Sequence, residues 1–329
     1  MNRHYLYTET AFHHQGDIDY MKQLVQASCE AGADGIKFQV LTKPEEFLSP
    51  LHASFDSLSK FCLTESQWVE IFETTLERGL DIIAMPLNIS SFEVLKSVNV
   101  KYYDIHSVSF QDEQLKKEIK NSRVPILLGI GGRTIQEIES AIAFFGKQLK
   151  AILVGFQGFP TNLENVMLSK ISALRELFPN LDVGYADHTK YDDKEVVETN
   201  IYARLLGAVI FEKHITLSEG DSNRVDYISA NNSGKIRKIK ERLDFIDDKI
   251  LFPKEKSLSV SGPELSYRQR ELQVVASEDI LTGTIITREQ VCLRMIDKTG
   301  GANNTSEVIG KRVNQDIEKH DIIRIEDLL

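Results

Sequence analysis

Residues 5–39 read YLYTETAFHHQGDIDYMKQLVQASCEAGADGIKFQ, and this stretch holds one complete unit of the fold. Tyr5–Thr10 is a short apolar run of strand type. Ile18, Met21, Val25 and Cys29 then recur at i, i+3, i+7 and i+11, which marks one face of an amphipathic helix. Gly35–Gln39 is a strand again. The alternation continues along the chain: Asp81–Met85, Tyr102–Ser107, Pro125–Ile130, Ala151–Phe156, Asp182–Tyr185 and Ala208–Lys213 all read as buried strands. Leu163, Val166, Met167, Ile171, Leu174 and Phe178 mark a further helical face. Eight strand–helix units in about 245 residues predict an α/β fold of the (β/α)8 TIM-barrel type, whose usual size is about 250 residues. No GxGxxG follows the first strand, which argues against a doubly wound nucleotide-binding sheet.

Beyond the segment 235–248 the pattern changes. Residues 250–270, ILFPKEKSLSVSGPELSYRQR, are polar and aperiodic and carry two of the eight prolines, as expected of a linker. This divides the chain into a barrel (1–249), a linker (250–270) and a small mostly-β domain (271–329). Within that last part Asp279-Ile280 and Ile285-Ile286 match Asp316-Ile317 and Ile322-Ile323 at the same internal spacing. The match predicts two related hairpins folded on each other. The 329 residues carry 49 acidic and 39 basic side chains, a formal net charge of −10, which disfavours a nucleic-acid binder. Three widely spaced cysteines, without CxxC, fit a reduced cytoplasmic protein, and no apolar run nears the roughly 18 residues of a membrane span.

A barrel of this type places its chemistry where strands end and βα loops begin. Those positions carry Glu9, Lys37, Gln39, Asn88, Ser107, the run Gly129–Arg133, Gln157, Asp187-His188 and Glu212-Lys213-His214. Ionisable groups there are expensive unless paired or functional, although each taken singly reads equally well as a hydrogen-bonded rim residue. His188 and His214 end neighbouring strands, where two neutral imidazoles would hold a divalent metal and leave positions open for substrate. His13 and His14 lie in the first loop and read as solvated. Gly129–Arg133 opens a helix, with Thr134 and Glu137 at capping-box spacing. Its free backbone N–H groups and Arg133 would suit an anion, or the run is simply a tight turn.

Several motifs, in register along the whole chain, resemble the sialic acid synthase family (N-acetylneuraminate synthases and relatives). Glu9-Thr-Ala-Phe-His-His14-Gln-Gly16-Asp17 looks like that family's E-x-G-x-N-H-N-G-D, and Ala31-Gly-Ala-Asp-Gly-Ile-Lys37-Phe38-Gln39 is close to its A-G-A-D-x-x-K-F-Q. Gly184-Tyr185-Ala-Asp187-His188-Thr189 resembles G-Y-S-D-H-T, and Gly207-Ala208 with Glu212-Lys213-His214 resembles G-A-x-x-x-E-K-H. Asp279-Ile280 and Ile309-Gly310-Lys311 look like the family's small antifreeze-like (SAF, β-clip) domain.

The resemblance implies a metal-dependent, aldol-type condensation in carbohydrate biosynthesis. Phosphoenolpyruvate would be joined to the open-chain aldehyde of a hexosamine-type sugar, giving a sialic-acid-like nonulosonate and free phosphate. His188 and His214 would hold the metal, manganese or magnesium. Glu9 would transfer a proton or position water, with Lys37 beside it. Lys37, Ser107, Gly131, Gly132 and Arg133 would bind the donor, and Gln39, Gln157, Asp187, Glu212, Asp226 and Arg294 the sugar. Arg294 would come from the small domain of a partner subunit in a domain-swapped homodimer.

Departures from the family pattern fall on the donor. Its T-P-F is Met85-Pro86-Leu87, its K-I-x-S is Asp104-Ile-His-Ser107, its S-T-G-M is Gly129-Ile-Gly-Gly132, and its S-D-H is Ala186-Asp187-His188. Hydroxyls and a lysine that would hold the phosphate or carboxylate are missing, and Asp104 in the lysine's place would repel an anion. Two other expectations therefore stand beside the first. One is a metal enzyme of the same fold with a different donor, and the other a sugar-binding protein without catalysis.

Overall fold

The computed structural model describes residues 3–155, 158–252 and 254–329. Eight parallel strands close into a barrel in chain order: β1 (Tyr5–Glu9), β2 (Gly35–Val40), β3 (Asp81–Pro86), β4 (Val100–Ile105), β5 (Ile126–Gly129), β6 (Leu149–Gly155), β7 (Asp182–Asp187) and β8 (Ile210–His214). Each lies within two residues of the run predicted for it at both ends. Ser107 falls outside β4, in a short 3-10 turn that follows it.

Side chains alternate along each strand, so one parity faces the axis and the other the helices. Tyr7, Ile83, Leu127, Ala151, Leu153, Ala186 and Ile210 fill the inside. Leu6, Ile36, Phe38, Ile82, Tyr103 and Phe211 pack outward against helices such as α1 (Ile18–Glu30) and α3 (Glu65–Glu77), whereas the short α2 (Phe55–Phe61) between them in the chain buries no residue of its own. Phe38 there meets Trp68 and Phe72 of α3, whose rings stack with centroids 5.6 Å apart. The strand register puts Glu9 level with Lys37 on one side and with His214 on the other, and the β1–β8 pairing closes the ring. A Cβ at Gly155 would lie 2.4 Å from the Ala186 carbonyl oxygen, so a glycine there keeps β6 and β7 together beneath the mouth.

The helix predicted from Leu163 to Phe178 is interrupted. Met167 adopts a φ of 46°, and the regular helix runs only over Ser169–Leu177. The capping box expected at Thr134 and Glu137 is present and starts the helix Ile135–Phe145. Such a cap is worth about 1 kcal/mol.

Residues from Pro253 onward form a second compact unit. The segment read as a linker is not structureless. It contains short helices over Lys254–Ser257 and Gly262–Arg268, the latter capped by Ser261 and Glu264. Helices this short and exposed leave no apolar period in the sequence to read. The repeat is visible in this unit: Ile280 and Ile317, equivalent in the two matching segments, exchange both backbone hydrogen bonds at 2.8 Å. Their partners Ile286 and Ile323 are buried in the same core with Val274, Val308 and Val313. A two-stranded antiparallel sheet, Gln273–Ala276 with Val291–Arg294, completes it. Among the described residues no helix is long and apolar enough to cross a membrane.

Candidate active site

Inward parity brings four ionisable side chains from four strands to one point. Lys37 Nζ lies 3.0 Å from Glu9 Oε2, 2.8 Å from Asp104 Oδ2 and 2.6 Å from Glu212 Oε2, and all four groups are buried. The Tyr7 hydroxyl, one layer deeper, donates to Glu212 Oε2 at 2.6 Å. One ammonium does not hold three carboxylates ionised in so dry a place. Burial opposes the charge of Glu9, but Lys37 and His214 outweigh it and hold this carboxyl well below the usual range. Burial, then the Glu9 charge, push Glu212 well above it. Burial also raises Asp104, against the pull of Lys37. Lys37 loses by burial but is raised by the three carboxyl groups around it, and so stays charged. The cluster thus keeps a proton on Glu212 while Glu9 is an anion.

Above this floor stand the two histidines expected to hold a metal. Their ring centroids are 5.1 Å apart, and one ligand atom each from His188, Glu212 and His214 lie within 4.8 Å of one another. His188 Nδ1 sits 3.0 Å from the Ala186 carbonyl, which makes Nδ1 the donor and leaves Nε2 with its lone pair. Burial, then the nearness of His214, drive the His188 imidazole down to about 3, so it is neutral at ordinary pH. His214 Nε2 is buried without a hydrogen-bond partner, 3.3 Å from Glu9 Oε2 but out of line with it. Two imidazoles, one with an orphaned nitrogen, beside a carboxyl group are a donor set that suits a divalent cation.

A cavity of about 910 Å³ opens over these groups. Glu9, Lys37, Gln39, Ser107, Gly131, His188, Glu212, His214 and Asp226 all line it, so most of the expected site residues come together. Gln39 Nε2 donates to Glu9 Oε1 at 2.8 Å and fixes that carboxylate from the side opposite Lys37. Gln157 lies outside the described residues. Arg294 belongs to the second unit, exposed, with its guanidinium on its own chain at the Leu293 carbonyl.

Three expectations are corrected. Asp187 does not face the cavity. It has the outward parity of β7 and is fully buried between Lys213 Nζ (2.8 Å), Asn200 Nδ2 (2.8 Å) and the Thr189 hydroxyl (2.7 Å). It braces the loop that carries His188 and is not placed to touch a sugar. Arg133 and Gly132 line a neighbouring groove instead, where the Arg133 guanidinium donates to the Ser107 carbonyl at 2.6 Å and stacks on Phe110. Arg133 is therefore already engaged in holding the β4 and β5 loops together. His13 and His14 are buried, not solvated: the former is held by the Val225 carbonyl and the Thr216 hydroxyl, the latter packed edge-on against Trp68.

His14 has a consequence for stability. Its Nδ1 accepts the Gly16 N–H at 3.1 Å, so protonation there would break that bond inside the protein. Burial brings His14 down to about 4, and His13 likewise to about 4. Below pH about 6.5 the unfolded chain binds protons that the folded chain refuses, so stability is full above that value and is lost as pH falls towards 4. Each histidine contributes on the order of 3 kcal/mol to this loss. His14→Asn, which keeps an acceptor for Gly16 but does not titrate, should flatten the fall in melting temperature between pH 7.5 and 4.5 by several degrees. Parallel melting curves for the two proteins would refute the assignment.

Sequence reading missed Tyr7, the pairing of Asp104 with Lys37, and His106, which also lines the cavity. Strand parity was the signal: Tyr7 shares it with Glu9, and His106 with Asp104. Phe159 was missed too, its ring centroid 6.0 Å from that of His188 and 6.2 Å from that of His214. No local pattern announced it.

A model of the NeuB family matches residues 24–248. An uncharacterized protein of Methanocaldococcus jannaschii is 27% identical across 99% of this chain and 94% of its own. Pseudaminic acid synthase of Campylobacter jejuni is 25% identical across 98% of this chain and 96% of its own. The crystal structure of spore coat polysaccharide biosynthesis protein E from Chromobacterium violaceum has a TM-score of 0.85 at 21% identity, covering 99% of this chain and 100% of that one.

Proposed function

The chain belongs to the NeuB family, and from that premise we propose that it is a sugar-acid synthase that joins phosphoenolpyruvate to the open-chain aldehyde of a hexosamine-type sugar. The enol carbon of the donor forms the new bond to the aldehyde carbon, water adds to the carbon that bears the phosphate, and phosphate leaves as the aldehyde oxygen gains a proton. The observation that supports this reading most is the convergence of Glu9, Lys37, Glu212, His188 and His214 on one cavity.

His188 and His214 would hold a divalent cation, manganese or magnesium, with Glu212 as a third group within reach. Such an ion supplies Lewis-acid polarisation of the aldehyde oxygen, where charge develops in the transition state. The chain's own groups do the rest. Ionised Glu9, held by Gln39 and Lys37, accepts the proton of the attacking water. Glu212 carries a proton without the ion and would give it up on joining the two imidazoles at the cation. Asp226 and Gln39 offer further polar contacts on the same cavity. We place this chemistry in a homodimer, with the partner subunit's Arg294 completing the sugar site. Sedimentation as a single chain would remove that part of the reading.

Phosphate release should be seen only when phosphoenolpyruvate, a hexosamine and Mn2+ or Mg2+ are all present, with a product mass equal to sugar plus pyruvate. A second reading keeps the metal and Glu9 but uses a donor without phosphate. It is favoured by one observation: Lys37, the only lysine or arginine among the described residues lining the cavity, is already held by three carboxyl groups. Metal-dependent turnover of a sugar without phosphate release would select it.

A further inference from the structure

Asp104 sits at the end of β4, which lies across the eight-stranded ring from β8 and its histidine. Its Oδ2 holds Lys37 Nζ at 2.8 Å. Its Oδ1 is buried and has no hydrogen-bond partner, although the residue is only 2% exposed and lines the cavity. The neighbouring Ile105 N–H steadies the carboxylate but completes no hydrogen bond with that oxygen. A buried acceptor left unmade costs about 1–3 kcal/mol, which the protein recovers if a ligand supplies the donor. The nearest cation, Lys37, is already shared among Asp104, Glu9 and Glu212. A phosphate on this wall would therefore meet an acceptor oxygen with no free counter-charge beside it, whereas a hydroxyl would supply the donor that Oδ1 lacks.

We propose that Asp104 determines specificity, binding a hydroxyl of a polyhydroxylated substrate through Oδ1 and excluding phosphate from the β4 side of the cavity. Assigning the hydroxyl to a sugar rests on the synthase reading above, while the exclusion of phosphate does not. Any phosphate on the donor then lies away from β4.

The test is calorimetric titration of the full-length protein with N-acetylmannosamine and, separately, with inorganic phosphate. In Asp104→Asn the amide oxygen turns to Lys37 and the NH2 group faces the cavity, replacing an acceptor by a donor. Sugar affinity should fall tenfold or more, and phosphate affinity should rise tenfold or more. Asp104→Leu guards against a rearranged amide and should show both changes too. Asp112→Asn removes a different carboxylate from the same cavity, keeps a good helix cap, and should change neither. Unchanged phosphate affinity in both Asp104 variants overturns the proposal, as does an equal gain in Asp112→Asn. If the unaltered protein binds no hexosamine, the sugar reading falls. The phosphate titrations still decide the role of Asp104.

Discussion

Replacing either His188 or His214 by alanine should lower turnover roughly a hundredfold or more, about 2.7 kcal/mol on the rate scale. The two imidazoles stand 5.1 Å apart between ring centroids and form one donor set with Glu212. Removing one ring leaves the other without the geometry to retain a cation, so the double variant should be little worse than either single one. Direct titration with Mn2+ gives a readout independent of turnover: binding should be lost in all three variants. A chelator should mimic the mutations, and added divalent metal should reverse it in the unaltered protein only. The competing account makes both histidines structural, His188 tied to the Ala186 carbonyl and His214 facing Glu9. That account expects additive losses and full activity in chelator, and either result would decide in its favour.

Lys37→Met should be the most destabilising single change in the barrel. It strips the counter-ion from Glu9, Asp104 and Glu212, which are buried within 3.0 Å of the ammonium. Breaking a buried pair by removing one partner costs about 3–5 kcal/mol, because the remaining charge cannot return to water. For a domain of this size that lowers the melting temperature by roughly 10 °C. The stranded carboxyl groups should then take up protons, so Lys37→Met should recover part of its loss as pH falls towards 5. Lys37→Met combined with Asp104→Leu should be more stable than the single variant, since one of the stranded charges is gone. A melting temperature unchanged by Lys37→Met would mean that the four groups are not the closed network the distances describe.

The barrel itself was legible in the sequence because its information is local. Period-two apolar runs and period-3.6 helical faces are written within ten or so residues, and each βα unit repeats them. The positions of Glu9, Lys37, His188, Glu212 and His214 followed as well, since a strand's last residues are its mouth residues in any barrel. The direction in which each points did not follow from being at a strand end. Asp187 and His188 are adjacent, yet the first turns outward to Lys213 and Asn200 while the second faces the cavity. Only parity counted from the closed ring separates them. The state of Lys37 was equally out of reach. Its three partners come from β1, β4 and β8, and the last is 175 residues away along the chain. Ring closure brings them within 3.0 Å, and their mutual charges then decide which of them keeps a proton. The burial of His13 was likewise settled at long range, by Thr216 and Val225 some 200 residues on. Sequence thus determined which residues reach the mouth of the barrel. Their charge, orientation and free valences were decided by tertiary structure, because electrostatic energy in a dry interior depends on distances in space that no local pattern encodes.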